Sequence, residues 1–571
     1  MRPTLGGNTR HDETIRKNPG RKNPGIGRRE KIVSVEAGRT FELVLDGHSL
    51  SVEVLERFLD AEETRITVAP EAAERVKASN RQLQTWLRQK FPIYGVTRGL
   101  GPLKDTILNE DEELEFQKRI LLSHATGFGE VFADEVARLA LLIRANVSCI
   151  GTFGNRLELI ERMLAVLNSG IVPKIPIAGS LGSGDLQPMA ALGLVLSGSK
   201  HGQARYRGAT GPAPEILRAA GLDPDFDLQT GEALSIISGS TILAAGTMYA
   251  LRRIRRQIAL LDGAYAMTME AVRGETKALD PRTHAARGIP GQIETARAMR
   301  CLLDGSGWTT DEGRSRMGET APRVQDAVSL RSSPHIHGSL RETVGFVVAA
   351  LDREINASTL NPLILPKDED PSQFDIVMGG NYDGSHLAHL LDFLTIVVTD
   401  CAGLGTARSA RLISNHASYG LPENLVSGHP GLNSGLVQVQ SLQLSVLGQM
   451  RQQAAPASVH SLTAKDGYED HNSMGNSSLY DLHQCLDYFD QILAAEFLLA
   501  TQAVNIIQPL MAGLKLADGT AAIRDLIRTR VEPPGDDRFY RTDIEAVLDL
   551  VKNGELLATI EKFTGGSGVH G

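Results

Sequence analysis

Four glycine-rich segments interrupt an otherwise regular chain: YGVTRGLG at 94 to 101, GSLGSGD at 179 to 185, GGNYDG at 379 to 384, and 426 to 435. Loops of this kind are where a rigid scaffold displays reactive groups. The first carries a phenol, Tyr94. SLR ending at Arg331 adds a guanidinium and YEDHNSMG a carboxylate, Glu469. A phenol can move a proton, and a planar guanidinium can hold a carboxylate through two parallel hydrogen bonds. Together they suit proton transfer or elimination on a small carboxylate-bearing molecule. Taken singly the residues are less telling, because a tyrosine beside glycines is often a packed loop residue, and Asn, Asp or Glu there often only satisfies a turn. No nucleotide site is indicated. GSLGSG opens no βαβ unit with a later ribose-binding acid, and no GK[ST] follows.

The elements that must position these loops are long amphipathic helices. Leu482, Cys485, Leu486, Phe489, Ile492, Leu493 and Phe497 recur at spacings of three and four and form one apolar stripe. Such stretches run from about 266 to 505 with few breaks, whereas strand-type alternation is brief, around 32 to 56 and 203 to 207. The expected fold is mainly α, a bundle of long helices with a smaller mixed N-terminal region. The expected divisions are a disordered basic tail at 1–31, an N-terminal α+β region at 32–265 bearing the Tyr94 and 179–185 loops, a helix bundle at 266–505, and a helical region with a loose tail at 506–571. The first 31 residues hold nine Lys/Arg against three Asp/Glu and repeat RKNPG at 16 to 20 and 21 to 25. Proline and glycine in each copy oppose regular structure.

The whole chain, 571 residues with net charge -9, is 42% hydrophobic and 22% charged, an ordinary globular composition that calls for no nucleic-acid or membrane partner. Cys149, Cys301, Cys401 and Cys485 lie far apart, with no CxxC pair and no clustered His/Cys spacing, so neither a metal site nor a disulfide framework is suggested. With no run of 18 or more apolar residues and no signal-peptide core at the N-terminus, a cytoplasmic protein that neither spans a membrane nor is secreted is expected.

The segment VPKIPIAGSLGSGDLQPMA, 172 to 190, resembles the one in aromatic amino acid ammonia-lyases and aminomutases in which Ala-Ser-Gly cyclises to 4-methylidene-imidazol-5-one. In that reaction the glycine nitrogen attacks the carbonyl two residues earlier, and loss of two waters turns the serine into an electrophilic alkene. Matching segments follow in family order over roughly residues 40 to 555. YGVTRGLG is similar to the family's YGVNTGFG, which implies that Tyr94 removes a proton from the substrate's β-carbon. A phenol has a reference pKa of about 10, so its surroundings must depress it for work near neutrality. LLSHATGFGE, 121 to 130, resembles the histidine ammonia-lyase version of the substrate-selecting segment, with His124 placed to hydrogen-bond a polar ring. VQDAVSLRSSPHIHG, 324 to 338, resembles VQDxYSLRxxPQxxG and implies that Arg331 clamps the substrate carboxylate. Asn381 of GGNYDG and EINASTLNPL around Asn356 and Asn361 match elements near the substrate. YEDHNSMG puts Glu469 at the position of a family acid or amine-binding residue. The resemblance further implies the fumarase/aspartase-like long-helix bundle, a homotetramer whose sites draw loops from three chains, and an amino acid as substrate.

Several departures fall on chemistry. The family's GSxGASGDL is one residue short here, with Gly182, Ser183, Gly184 and no alanine; either Gly182 supplies the carbonyl or the loop stays uncyclised. The family's second catalytic tyrosine is Val328, the asparagine that steadies the electrophile and lies by the substrate is Ser238, the glutamine before Glu469 is Tyr468, and the glutamine of PQ is His335. Arg98 replaces a small polar residue in the Tyr94 loop. Three readings stay open: an ammonia-lyase or 2,3-aminomutase for an aromatic or histidine-like amino acid, a cofactor-free elimination or proton transfer, and an inactive scaffold subunit.

Overall fold

The computed structural model describes residues 40–320 and 323–565. The expectations for the basic tail at 1–31 and for the last six residues lie outside them. The chain opens on two short parallel strands, Phe41–Leu45 and Thr64–Val68, in register from Phe41–Thr64 to Leu45–Val68. A parallel pair needs a crossover, supplied by the helix Val52–Leu59, whose first turn is capped by Ser51 Oγ accepting from Val54 N (3.3 Å). The alternation expected to reach residue 56 therefore ends at Leu45, where the period changes to that of an amphipathic helix. Near 203 the strand Gln203–Tyr206 is the centre of a three-stranded antiparallel sheet.

The centre of the molecule is a bundle of long helices: Thr241–Ala271, Ser333–Glu354, Ser385–Leu412, Val437–Gln453 and Gly475–Ile507. The last has 33 residues, a rod of about 50 Å at 1.5 Å per residue. It packs chiefly against Ser385–Leu412 and Thr241–Ala271, and all seven residues of its apolar stripe are fully buried. The bundle begins earlier than expected. Thr241–Ala271 runs unbroken through the division placed after 265, because apolar residues cover most of its circumference. The helices expected to recur with few breaks are separated by three long irregular stretches. Short helices and loops fill 304 to 320 and 323 to 332, and loops and short 3-10 turns fill 413 to 436 and 454 to 474. Beyond the bundle, Asp518–Arg528, Arg541–Asn553 and Glu555–Thr564 form a helical region.

Three helical stretches, Glu232–Ala271, Ser385–Leu412 and Gly475–Met511, are long and apolar enough to cross a membrane by length and composition. Their apolar windows are 94%, 67% and 78% buried within the protein, so most of that hydrophobicity is used in packing helix on helix.

Buried charge ties the bundle together. Arg408 donates Nε to Glu496 Oε1 (2.6 Å) and Nη2 to Oε2 (2.9 Å), with both side chains fully buried. Its Nη1 donates to Ser333 Oγ (3.1 Å) and lies 3.2 Å from His337 Nε2. Burial pushes the His337 imidazole down to about 4, against the pull of Asp262. Near neutrality the ring is therefore neutral, Nδ1–H donating to Asp262 (2.8 Å) and Nε2 accepting from Arg408. Arg341 completes the chain by donating to Asp262 (2.6 Å). Removing one member of a buried pair strands the other charge. Arg408→Met is expected to lower the unfolding free energy by about 3–5 kcal/mol, and Arg408→Met with Glu496→Leu by less. Urea denaturation of the three proteins checks this; a double mutant as unstable as the single one refutes it.

Candidate active site

The loop 179–185 joins the strand Pro176–Ala178 to the helix Leu186–Leu196. Its anchor is Asp185, which is completely buried. Its Oδ2 accepts from Ile242 N (2.6 Å) and Leu243 N (3.3 Å) in the first turn of Thr241–Ala271, and its own N–H donates to Gly239 O (2.7 Å). Burial pushes this carboxyl up to about 7, opposed by those two amides and by the Arg144 guanidinium. Arg144, also fully buried, donates to Ser238 O (2.7 Å) and Ser235 O (3.3 Å) and so holds the end of the helix Glu232–Ile237.

Above this anchor, Gly182 and Gly184 both have positive φ, +85° and +77°. At Gly182 a side chain is also excluded by contact, because a Cβ would overlap Ser473 Oγ and lie 2.8 Å from Gly475 N. Ser473 Oγ donates to the Gly182 carbonyl oxygen (3.0 Å), and Gly384 N reaches the same oxygen at 3.4 Å. Ser183 pairs antiparallel with Asp383, and its Oγ donates to His471 O (3.3 Å). Two donors on the Gly182 carbonyl draw electron density from the carbon that a Gly184 nitrogen would attack. The tripeptide thus fits the imidazolone in its chemistry, and Ser183, the alkene position, faces a cavity.

That cavity measures about 770 Å³, within the range of small-molecule sites. Tyr94, His124, Ser183, Ser238 and Glu469 line it, with Gly182 and Gly184 on either side of Ser183. His124 closes the helix Glu110–His124, whose start is fixed by the reciprocal Asn109–Glu112 capping pair. Its Nδ1 lies 2.8 Å from Ile120 O, a pure acceptor, and burial lowers the ring's pKa. The neutral ring therefore carries its proton on Nδ1 and leaves Nε2 as an acceptor. Glu469 is ion-paired with Lys465 at 2.6 Å.

Tyr94 Oη accepts from Gly101 N (3.0 Å). The depressed phenol that a base near neutrality requires is not found in the free chain. Burial pushes Tyr94 up, the Gly101 amide opposes it, and Tyr382, Glu469 and Tyr468 add to the rise. The phenol of the free chain is therefore neutral near pH 7.

Other expected residues are not brought together here. Arg331 does not line the cavity; it sits in the short helix Val328–Arg331 and donates Nη1 to Asp326 O (2.6 Å). Asn381 is exposed beside the cavity, with Nδ2 donating to Ser358 O (3.2 Å). Asn356 is structural, bridging Leu50 and Asn146, whereas Asn361 lines the cavity. His335 lies against His284, ring centroids 5.7 Å apart, and Val328 is exposed. Of the departures, Ser238, Tyr468 and Arg98 do line the cavity.

Among the lining residues that were not anticipated, Tyr382 and Lys465 carry groups able to do chemistry. Tyr382 stands next to Asn381 in GGNYDG, and its phenol is pushed up by burial and by Glu469. A second phenol in a glycine loop, in a chain with valine at 328, was a usable signal. Lys465 had none, because it falls in a segment with no helical or strand period.

The sequence model of the aromatic amino acid lyase family matches residues 50–529. A histidine ammonia-lyase from Anaeromyxobacter dehalogenans (strain 2CP-C) is 37% identical over 520 residues, 90% of this chain and 99% of that protein. The tyrosine aminomutase structure from Streptomyces globisporus superposes with a TM-score of 0.82 at 31% identity, covering 91% of this chain and 99% of that one. The ergothioneine-degrading ergothionase of Treponema denticola, solved with desmethyl-ergothioneine sulfonic acid, gives 0.83 at 26% identity, covering 90% and 99%.

Because the Tyr94 phenol is raised in the free protein, kcat/KM is expected to climb with pH towards and beyond about 10, where an ordinary tyrosine ionises. Tyr94→Phe is expected to abolish turnover with an unchanged circular dichroism spectrum. A flat wild-type profile, or an active mutant, excludes Tyr94 as the base.

Proposed function

The chain belongs to the aromatic amino acid lyase family, and from that premise we propose how its own residues divide the work on an aromatic or histidine-like amino acid. It is an ammonia-lyase or an aminomutase, two outcomes that share proton removal from the β-carbon. The observation that carries the assignment of roles is convergence: side chains between positions 94 and 469 meet on one cavity. Tyr94 takes the β-proton, and Tyr382 supplies in that cavity the second phenol that position 328 lacks. Glu469 holds the amine. The free Nε2 of His124 accepts a hydrogen bond from a ring N–H or O–H, which suits a histidine or tyrosine side chain. A cofactor-free reaction and an inactive scaffold are not favoured, since the phenol, serine and carboxylate all face the same space.

Family membership implies methylidene-imidazolone in general. Here we assign it to Gly182, Ser183 and Gly184. The Gly184 nitrogen bonds to the Gly182 carbonyl carbon, and two waters leave, one with the Gly182 oxygen and one with the Ser183 hydroxyl. The group supplies an electrophilic alkene that makes the substrate amine a better leaving group, a reactivity no ordinary side chain offers. The purified protein is expected to be lighter than its encoded sequence by two waters. Ser183→Ala is expected to have its full encoded mass and to turn over no amino acid in a mass-spectrometric screen for loss or migration of the amine. A wild type of full mass that still turns over substrate refutes the assignment.

We also propose a cytoplasmic homotetramer in which Arg331 serves a neighbouring chain's cavity. Its own cavity excludes it, and exposed apolar residues such as Phe346, Phe393, Ile396 and Leu444 lie on the long helices. The cysteines are free thiols, and three of the four are buried. Co-expressed Tyr94→Phe and Arg331→Ala chains, each inactive alone, are expected to recover a fraction of activity, because mixed sites can combine one intact copy of each. No recovery places Arg331 and Tyr94 in the same chain's site.

A further inference from the structure

The Lys465–Glu469 pair belongs to an unusual piece of backbone. Lys465, Asp466 and Gly467 are consecutive residues with positive φ, +51°, +56° and +78°. Two of the three are not glycine, and L residues adopt this conformation at a cost, so it persists where the surroundings enforce it. The enforcement is visible. Ala464 N donates to Glu469 O (2.8 Å) and Glu469 N to Ala464 O (3.3 Å), which seals the base of a tight loop. Gly467 N donates to Ala464 O (3.1 Å) and Tyr468 N to Lys465 O (3.0 Å) within it. The loop thereby sets an ammonium and a carboxylate in contact, 2.6 Å apart, on the cavity wall. Both charges reach into the cavity's interior: Lys465 lowers and Glu469 raises the pKa of His124, and Glu469 also acts on Tyr94 and Tyr382.

An α-amino acid carries the complementary pair, an ammonium and a carboxylate on one carbon. We propose that Lys465 and Glu469 form a preset receptor for that zwitterion, the Lys465 ammonium taking the α-carboxylate and Glu469 the α-amine. This rests on the reading of the chain as an enzyme of amino acids and deepens it. Lys465 is the carboxylate-binding cation that each chain contributes to its own cavity, beside the Arg331 that a neighbouring chain supplies in the proposed tetramer. The arrangement also fixes orientation. With both α-substituents held at the loop 464–469, the side chain of the amino acid shares the cavity with His124 and the Tyr94 phenol.

A surface lysine paired with a glutamate four residues on would contribute little and would respond to no ligand. The two situations separate by binding. In the full chain carrying Ser183→Ala, which blocks turnover, calorimetric titration uses L-histidine, L-tyrosine and the decarboxylated amines histamine and tyramine. At least one amino acid is expected to bind more tightly than its amine. Adding Lys465→Met is expected to weaken that amino acid by about tenfold or more, as for loss of a hydrogen bond between charged groups, and to leave its amine unchanged. Lys465→Arg is expected to restore most of the difference. Equal loss for acid and amine, or no loss for either, overturns the receptor, as does failure of both amino acids to bind. If Lys465-dependent binding holds while the wild type turns over no amino acid, the receptor stands and the enzymatic reading of this chain falls.

Discussion

The site hangs on one buried carboxylate. Asp185 caps the first turn of the long helix Thr241–Ala271 through two backbone amides, while the adjacent Arg144 grips the end of Glu232–Ile237. Three helix ends meet at this knot, one of them the start of Leu186–Leu196 immediately after Asp185. Helix termini leave backbone groups without partners, and a buried terminus must find them nearby. Here the unsatisfied amides of one helix and carbonyls of another are met by two side chains of opposite charge. Ser183 and Ser238 stand close in sequence to the knot, and so their places on the cavity wall are fixed by the same contacts that join the N-terminal region to the bundle. A carboxyl this deeply buried has a raised pKa, which is the energetic cost of building a loop site on a helix junction instead of a flexible surface turn.

From that joint the remaining side chains are carried in by separate elements. His124 comes from the last turn of a capped helix, Tyr94 from the loop after Pro70–Arg88, Tyr382 from the approach to Ser385–Leu412, and Glu469 from the loop before Gly475–Ile507. Each of these segments ends on a helix whose apolar face is committed to the core. The bundle supplies rigidity, and the chemistry rides on its ends.

How much of this was legible in the sequence follows from where each signal resides. The stripe from Leu482 to Phe497 is a local period, so the helix Gly475–Ile507 could be read directly. The loops 94–101, 179–185 and 379–384 announced themselves by glycine, and resemblance placed Tyr94, His124, Ser183, Ser238 and Glu469, all of which the structure brings to one cavity. What could not be read is relational. That Arg331 does not line this cavity depends on the path of 323 to 332, a stretch with little periodicity. The raised Tyr94 phenol depends on burial and on Tyr382 and Glu469, neighbours distant in sequence. The left-handed turn at Lys465 and Asp466 has no composition cue, since only its third member is glycine.

The missing alanine has a physical reason at position 182. In the loop 179–185, position 182 lies against the start of Gly475–Ile507, and a Cβ there would overlap Ser473 Oγ and crowd the Gly475 amide. Glycine at 182 is therefore the residue this loop accommodates. The same closeness lets the Ser473 hydroxyl reach the Gly182 carbonyl. An alanine restored at 182 without lengthening the loop would push Ser473 away and remove that donor along with the space. The shortened loop is thus tuned to its partner helix, with the carbonyl at 182 polarised by a side chain from the far end of the sequence.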